Sequence, residues 1–306
     1  MNSLEDSFNH DRALVFGIGG GGDIVGTIPT ARLLEQHGIE TTLGGLAWER
    51  DVIDPQPGPR SFDTITDIER ISASVARVND ETQTTDEIVF AETHVARHTD
   101  RPVVLIDVTH GATEMATGLE TACEQLDIDL LVGVDAGGDA LAVGDEPGLR
   151  SPLADALSLV ALDSVALPSV LGVFGMGSDG ELTAVELQAG VARAADRDGL
   201  LGAWGLTPRA CEEMDPLLDV VPTEASRLPV EAAYGAFDVQ RIRDGSRTVH
   251  LNPASVCTFY FDPSAVAASS AIVPHVRGTT SIEAADTALA EAGYISELRI
   301  EEGNTD

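Results

Sequence analysis

Residues 13–43, ALVFGIGGGGDIVGTIPTARLLEQHGIETTL, decide the fold. Ala13 to Ile18 reads as a buried strand, and Ile39 to Leu43 as the next one. Six glycines fall between Gly17 and Gly26, more than close strand–helix packing requires. Pro29 would disrupt a helix begun at Asp23, so the helix is expected to start near Thr27, with Pro29 in its first turn, and to run to His37. Gly17, Gly19 and Gly22 satisfy the spacing G-x-G-x-x-G, which lets a phosphate approach backbone N–H groups at a helix N-terminus. Gly19, Gly20, Gly21, Gly22, Asp23 and Thr27 are therefore candidate ligand-binding residues. A nicotinamide dinucleotide fits less well, because the second strand ends in Thr41, Thr42, Leu43 and Gly44, without the carboxylate that would take a ribose hydroxyl.

Outward from this stretch the same alternation continues. Strands are expected at Val103 to Val108, Leu130 to Val134 and Val170 to Phe174. Helices are expected at Glu87 to His98, Thr113 to Leu126, Pro152 to Leu162 and Glu181 to Arg197. This pattern predicts an α/β protein with a Rossmann-like, doubly wound, mostly parallel sheet over residues 1–200. Residues 48–85, with the stiff DPQPGPR segment from Asp54 to Arg60, interrupt it as an insert that is either a lid or an edge decoration. Residues 201–306 read as an α+β extension packed on the same core: Asp244-Gly245 signals an antiparallel hairpin, Val256 to Phe261 supplies a third strand, and Thr280 to Ala292 closes as a helix. The last residues are expected to fray.

The 306 residues carry 18 basic side chains against 51 acidic ones, a formal charge of −33, yet 43% are hydrophobic. All 18 cations are arginine. Such a chain resembles proteins of halophiles, in which molar salt shortens the Debye length to about 3 Å and screens the repulsion. The absence of lysine excludes a Walker P-loop, a Schiff-base or pyridoxal-phosphate mechanism and a Ser-x-x-Lys acyltransferase. Nucleic acid is not an expected partner, since clustered cations are lacking. Neither a signal peptide nor a membrane span is legible, so a cytoplasmic location is expected. Cys123, Cys211 and Cys257 have no paired spacing and read as small core residues.

Chemistry is expected at the carboxyl ends of the strands, where open α/β sheets place ligands. After the fourth strand, VDAGGDALAVGDEPGLRSP sets Asp135 and Asp139 about a Gly-Gly turn, suited to a divalent cation such as Mg²⁺. After the third, Asp107 and His110 are candidate catalytic groups, His110 as acid or base. After the fifth, Ser178 is a candidate nucleophile, although Met176 replaces the first glycine of a Gly-x-Ser-x-Gly elbow; with Glu181 it also reads as a capping box. Arg50, Arg60 and Arg150 are candidate anion clamps.

The segments GIGGGGDIVGTIPTARLLE, GGLAWERD followed by PGPR, and GVDAGGDALAVGDEPGLRSPLADAL resemble the archaeal domain-of-unknown-function family 1152 over nearly the whole chain. That resemblance implies a fold and no reaction. DAGGDALAVG is also similar to the glycine-acid loop of D-glutamate cyclases, from which Ala142 and Val143 depart. The expectation is an enzyme binding a phosphorylated or nucleotide-like anionic small molecule, with homo-oligomerisation open. A non-catalytic ligand sensor, an NAD(P)-dependent oxidoreductase and a cyclase-like lyase are the alternatives.

Overall fold

The computed structural model describes residues 1–303; the terminal residues expected to fray, 304–306, lie outside the described residues. The opening stretch forms β1 (Arg12–Gly17), α1 (Asp23–Gly26), α2 (Ile28–Gln36) and β2 (Glu40–Leu46). Four short strands follow: β3 (Ile65–Thr66), β4 (Glu69–Arg70), β5 (Val75–Arg77) and β6 (Gln83–Thr84). Next come α3 (Ala91–His98), β7 (Val103–Ile106), α4 (Gly111–Gln125), β8 (Leu130–Ala136), α5 (Pro152–Ser164), β9 (Ser169–Phe174) and α6 (Ala184–Ala195). The remainder comprises β10 (Leu200–Gly205), α7 (Pro208–Leu218), α8 (Glu224–Ala233), β11 (Val239–Ile242), β12 (Arg247–His250) and β13 (Cys257–Phe261), then α9 (Pro263–Ala267), α10 (Val273–Val276), α11 (Ile282–Glu291) and α12 (Glu297–Glu301).

Nine strands make one sheet in the order β10-β13-β9-β8-β1-β2-β7-β5-β4. The five central ones, β9, β8, β1, β2 and β7, run parallel. The chain winds outward from β1 through β2 to β7, then returns to β1's other side for β8 and β9. Its direction therefore reverses between β1 and β8, which opens a crevice at their carboxyl ends. Antiparallel strands finish both sides, β13 against β9 and β5 against β7. The insert thus decorates an edge through β5 and β4, and the C-terminal third supplies the opposite edge.

Alternation along β1 explains why both faces are covered. Ala13 and Val15 join a core with Ile28, Ala31 and Leu34 of α2. Leu14 and Phe16 point the other way, into a core with Met115 of α4 and Leu157 of α5. All four strand residues are fully buried, and burying a side chain of this size stabilises by about 1.5–3 kcal/mol. Among the described residues, no helix is long and apolar enough to cross a membrane.

Three expectations need correction. A helical turn already begins at Asp23, because fully buried Ile24 and Val25 anchor α1. Pro29, lacking an N–H, sits in the first turn of α2 and fits a chain broken at Thr27. The glycine loop is correspondingly shorter than expected. At the other end, Asp244-Gly245 does join a hairpin, but β11 and β12 form a separate two-stranded sheet, whereas β13 enters the main one. The capping box lies at Thr183 and Glu186 of α6, not at Ser178 and Glu181.

Candidate functional site

A cleft of about 630 Å³ lies over the crevice, lined among others by Gly19, Gly20, Gly22, Asp23, Arg50, Asp139, Asp155, Asp179 and Glu181. Five of the carboxylates around it are less than a tenth exposed: Asp135, Asp139, Asp155, Asp179 and Glu181. They arrive from three elements. Asp135 ends β8, and Asp139 follows the Gly137-Gly138 turn. Asp155 stands in the first turn of α5, and Asp179 and Glu181 occupy the loop after β9.

Local geometry explains the convergence. Asp135 is fixed by its own loop, accepting from the N–H groups of Gly138 at 3.3 Å and Ala140 at 3.0 Å. Gly137 has φ +130°, and a Cβ there would lie 2.4 Å from Asp179 Cγ, so only glycine admits Asp179. Ser151 does not cap α5 with its side chain. Its Oγ lies 3.0 Å from Asp139 Oδ2 and 2.9 Å from Glu181 Oε1. The cap comes instead from Glu297 of α12, which accepts from the N–H groups of Leu153 and Ala154 at 2.9 and 2.7 Å. That contact holds the helix end carrying Asp155.

Asp135, Asp139 and Asp155 offer oxygens within 4.8 Å of one another, and so do Asp139, Asp179 and Glu181. Asp139 belongs to both groups. Two such triplets sharing a carboxylate suit hard divalent cations, which prefer oxygen ligands. An independent observation points the same way: Oδ1 of Asp155 and both side-chain oxygens of Asp179 are buried without a hydrogen-bond partner. A buried carboxylate left unpaired is costly and calls for a proton or a cation. Accordingly, burial and then the neighbouring acids push Asp135, Asp139 and Asp155 well above the usual carboxylate range. Burial likewise raises Asp179 to about 7 and Asp23 to about 6, with Arg50 restraining Asp23.

The glycine loop is only partly a cradle. The Gly19 N–H donates to Asp23 Oδ2 at 3.0 Å and the Gly21 N–H to the Trp48 carbonyl at 2.7 Å. A Cβ on Gly20 would meet that same carbonyl at 2.8 Å, and one on Gly22 would meet Thr223 Cβ at 2.2 Å. Close packing explains these two glycines, while Gly19 faces the carboxylates of Asp23 and Asp155.

Of the candidate arginines, Arg50 lines the cleft, pairing with Glu301 at 3.7 Å and lying over the Trp48 ring. Arg60 does not reach it. Its guanidinium is buried against Asp54 at 2.6 and 2.7 Å and Asp86 at 3.0 Å, bracing the insert. The Arg150 side chain is exposed, and only its backbone N–H meets the site, donating to Glu181 at 2.6 Å.

The other candidates are also placed elsewhere. Asp107 is buried and accepts from the N–H groups of Phe62 and Thr109 and from the Thr109 hydroxyl, so it ties the insert to the strand end. His110 is exposed at the N-terminus of α4. The Ser178 hydroxyl donates to the Ala225 carbonyl at 2.6 Å, and that of Thr27 to the Ile24 carbonyl at 2.6 Å. Hydroxyls committed in this way serve packing. Sequence reasoning missed Asp155, Asp179, Glu181 and Glu297 as site residues.

A family model described as "Protein of unknown function (DUF1152)" matches residues 14–305, and the chain belongs to that family. No curated protein matches it at a significant level.

Proposed function

We propose that this protein is a cytosolic enzyme of a high-salt archaeon, built on a Rossmann-like doubly wound sheet. In this reading its acidic cleft holds divalent cations, which in turn bind a phosphorylated or nucleotide-like small molecule. The observation that carries this reading is the pair of carboxylate triplets sharing Asp139, with buried oxygens of Asp155 and Asp179 left without partners. A cleft walled by acids repels a phosphate unless cations intervene, and its arginines are already engaged. Arg50 pairs with Glu301, Arg243 with Glu224 at 3.4 Å, and Arg227 bonds the Leu218 carbonyl.

Bound there, cations would polarise a phosphoryl oxygen and lower the pKa of a coordinated water, the chemistry of metal-assisted displacement at phosphorus. Asp135 and Asp139 would anchor them from the β8 loop, Asp155 from α5, and Asp179 and Glu181 from the β9 loop. Asp23, raised to about 6 and in reach of the Gly19 N–H, suits a proton acceptor near neutral pH. Titratable groups in the cleft favour a catalyst over a passive sensor. A nicotinamide cofactor is disfavoured because the β2 side of the glycine loop is filled by Trp48 and Arg50.

The test is calorimetric titration of phosphate esters and nucleotides into the full chain in molar KCl, with and without Mg²⁺. The reading requires binding with the cation and none without it. Binding that ignores Mg²⁺ overturns it.

A further inference from the structure

We propose that the ligand of the cleft carries two separated anionic groups, one phosphate met by the cations over the buried carboxylates and a second phosphate held at the mouth by Arg243 and Arg227. The inference rests on the reading of the cleft as a cation-dependent phosphate site and adds the substrate class, a small bisphosphate.

One cavity holds both kinds of group. Asp139, Asp155, Asp179 and Glu181 line it together with Arg227 and Arg243, so a single molecule can meet the carboxylates and the arginines without crossing a wall. Charge is segregated within it. The four acids are less than a tenth exposed, whereas the Arg243 side chain is 52% exposed and Arg227 is half-buried. Arg243 lies in the turn between β11 and β12, and at the start of β12 the hairpin is tied to the carboxylate cluster. There Arg247 Nη1 donates to the Asp179 carbonyl and to Glu181 Oε1, both at 3.0 Å. The turn is fixed as well. Arg243 has φ +51°, unfavourable for a residue with a Cβ, and both carboxylate oxygens of Glu224 accept from its N–H, at 3.2 and 3.1 Å.

These contacts fix the two arginines without neutralising them. A guanidinium has five N–H donors. Arg227 uses one on the Leu218 carbonyl, an uncharged acceptor, and forms no ion pair among the described residues. The Arg243 guanidinium comes closest to Glu224 through Nε, at 3.4 Å, in an exposed pair of a kind that contributes little, and Glu224 is already committed to the backbone of the turn. Asp51 also lines the cleft but is solvent-exposed, next to Arg50 in the chain. Open guanidinium forks match phosphate oxygens bidentately. In a chain with 51 acids and 18 arginines, two such forks over one cleft fit an anion that the cations below do not reach.

The experiment is calorimetric titration of Mg²⁺-loaded protein in molar KCl with ethyl phosphate and with ethanediol, butanediol and hexanediol bisphosphates, repeated on Arg243→Gln and Arg241→Gln. Arg243→Gln changes an exposed side chain and keeps the backbone N–H that Glu224 holds, so the fold should persist. Arg241 is exposed on the same hairpin and does not line the cleft, which makes it the control. At least one bisphosphate should bind about tenfold tighter than ethyl phosphate, and this ratio should be largely lost in Arg243→Gln and kept in Arg241→Gln. Equal affinities for ethyl phosphate and every bisphosphate overturn the inference while leaving the cleft reading standing. A ratio that persists in Arg243→Gln places both phosphates on the cations and overturns it too. An equal loss in Arg241→Gln means that only net charge is being sensed, with the same consequence. Absence of Mg²⁺-dependent ethyl phosphate binding overturns the cleft reading, and the bisphosphate with it.

Discussion

Asp139 and Glu181, from loops after adjacent strands, are bridged by one hydroxyl: Ser151 Oγ stands 3.0 Å from a carboxylate oxygen of the first and 2.9 Å from one of the second. A hydroxyl has one proton to donate, so it cannot satisfy two ionised carboxylates at once. Glu181 also accepts from Arg247 Nη1 at 3.0 Å and from the Arg150 N–H at 2.6 Å, so the Ser151 proton can go to Asp139 while the hydroxyl holds the two carboxylates side by side. Ser151→Ala should therefore leave the fold intact and weaken Mg²⁺ binding by roughly 10- to 100-fold, the usual effect of losing a group that orients metal ligands. Titration of both proteins with Mg²⁺ reads this directly, and unchanged affinity would show the bridge to be incidental.

Asp139→Asn should weaken cation binding more than Ser151→Ala, because Asp139 alone belongs to both triplets. Asp145→Asn is the control. Its side chain is exposed six residues along the same loop and touches neither group, so its affinity should match the wild type. Similar behaviour of the two variants would mean that Asp139 is only one more solubilising acid.

Stability of the cation-free protein should fall as pH rises from about 5 to 8. Burial raises Asp23 to about 6 and Asp179 and Glu49 to about 7, and burial, with Glu49 beside it, raises Glu92 well above its usual value. A carboxyl group whose folded pKa exceeds its unfolded one stabilises the fold while protonated, and that contribution is lost as pH climbs through the folded value. Saturating Mg²⁺ should remove most of the fall by occupying the cluster. Glu92→Gln should reduce what remains, since both Glu92 side-chain oxygens are buried without partners away from the cleft. Melting temperatures against pH, with and without Mg²⁺, decide; a rise with pH in cation-free protein contradicts the account.

How much of this was legible in the sequence depended on whether an element was read locally. The five parallel strands and their helices followed from hydrophobic period, and the Asp135–Asp139 turn from its glycines. Asp155, Asp179 and Glu181 were not separable from an acid-coated surface, because one residue in six is acidic and their meeting is a tertiary event between α5 and two loops. Glu181 was misread for a specific reason: Ser178 and Glu181 have capping-box spacing, yet Thr183 and Glu186 form the box, with Thr183 N–H donating to Glu186 at 2.7 Å. β10 escaped notice because its sequence, LLGAWG, carries two glycines and alternates poorly.

Glu297→Ala should destabilise the protein by about 2–3 kcal/mol, since it strips the acceptor from two buried N–H groups at the start of α5. It should also weaken cation binding by loosening the helix end that bears Asp155. Denaturant melts give the first quantity and Mg²⁺ titration the second. Loss of stability without loss of affinity would separate the cap from the site.

Removal of salt should lower the melting temperature, because a charge of −33 repels itself more strongly as screening falls. A melting temperature equal in molar and dilute KCl would contradict the reading of the acidic surface.

Divalent cations in the shared-carboxylate cluster are detected by calorimetric titration of Mg²⁺ into cation-free protein at pH 7.5 in molar KCl, repeated in buffers of different ionisation enthalpy. Saturable binding of two cations per chain is expected, accompanied by release of protons from the raised carboxyl groups and strongly weakened in Asp139→Asn. Heats that are the same for the wild type and Asp139→Asn would contradict it.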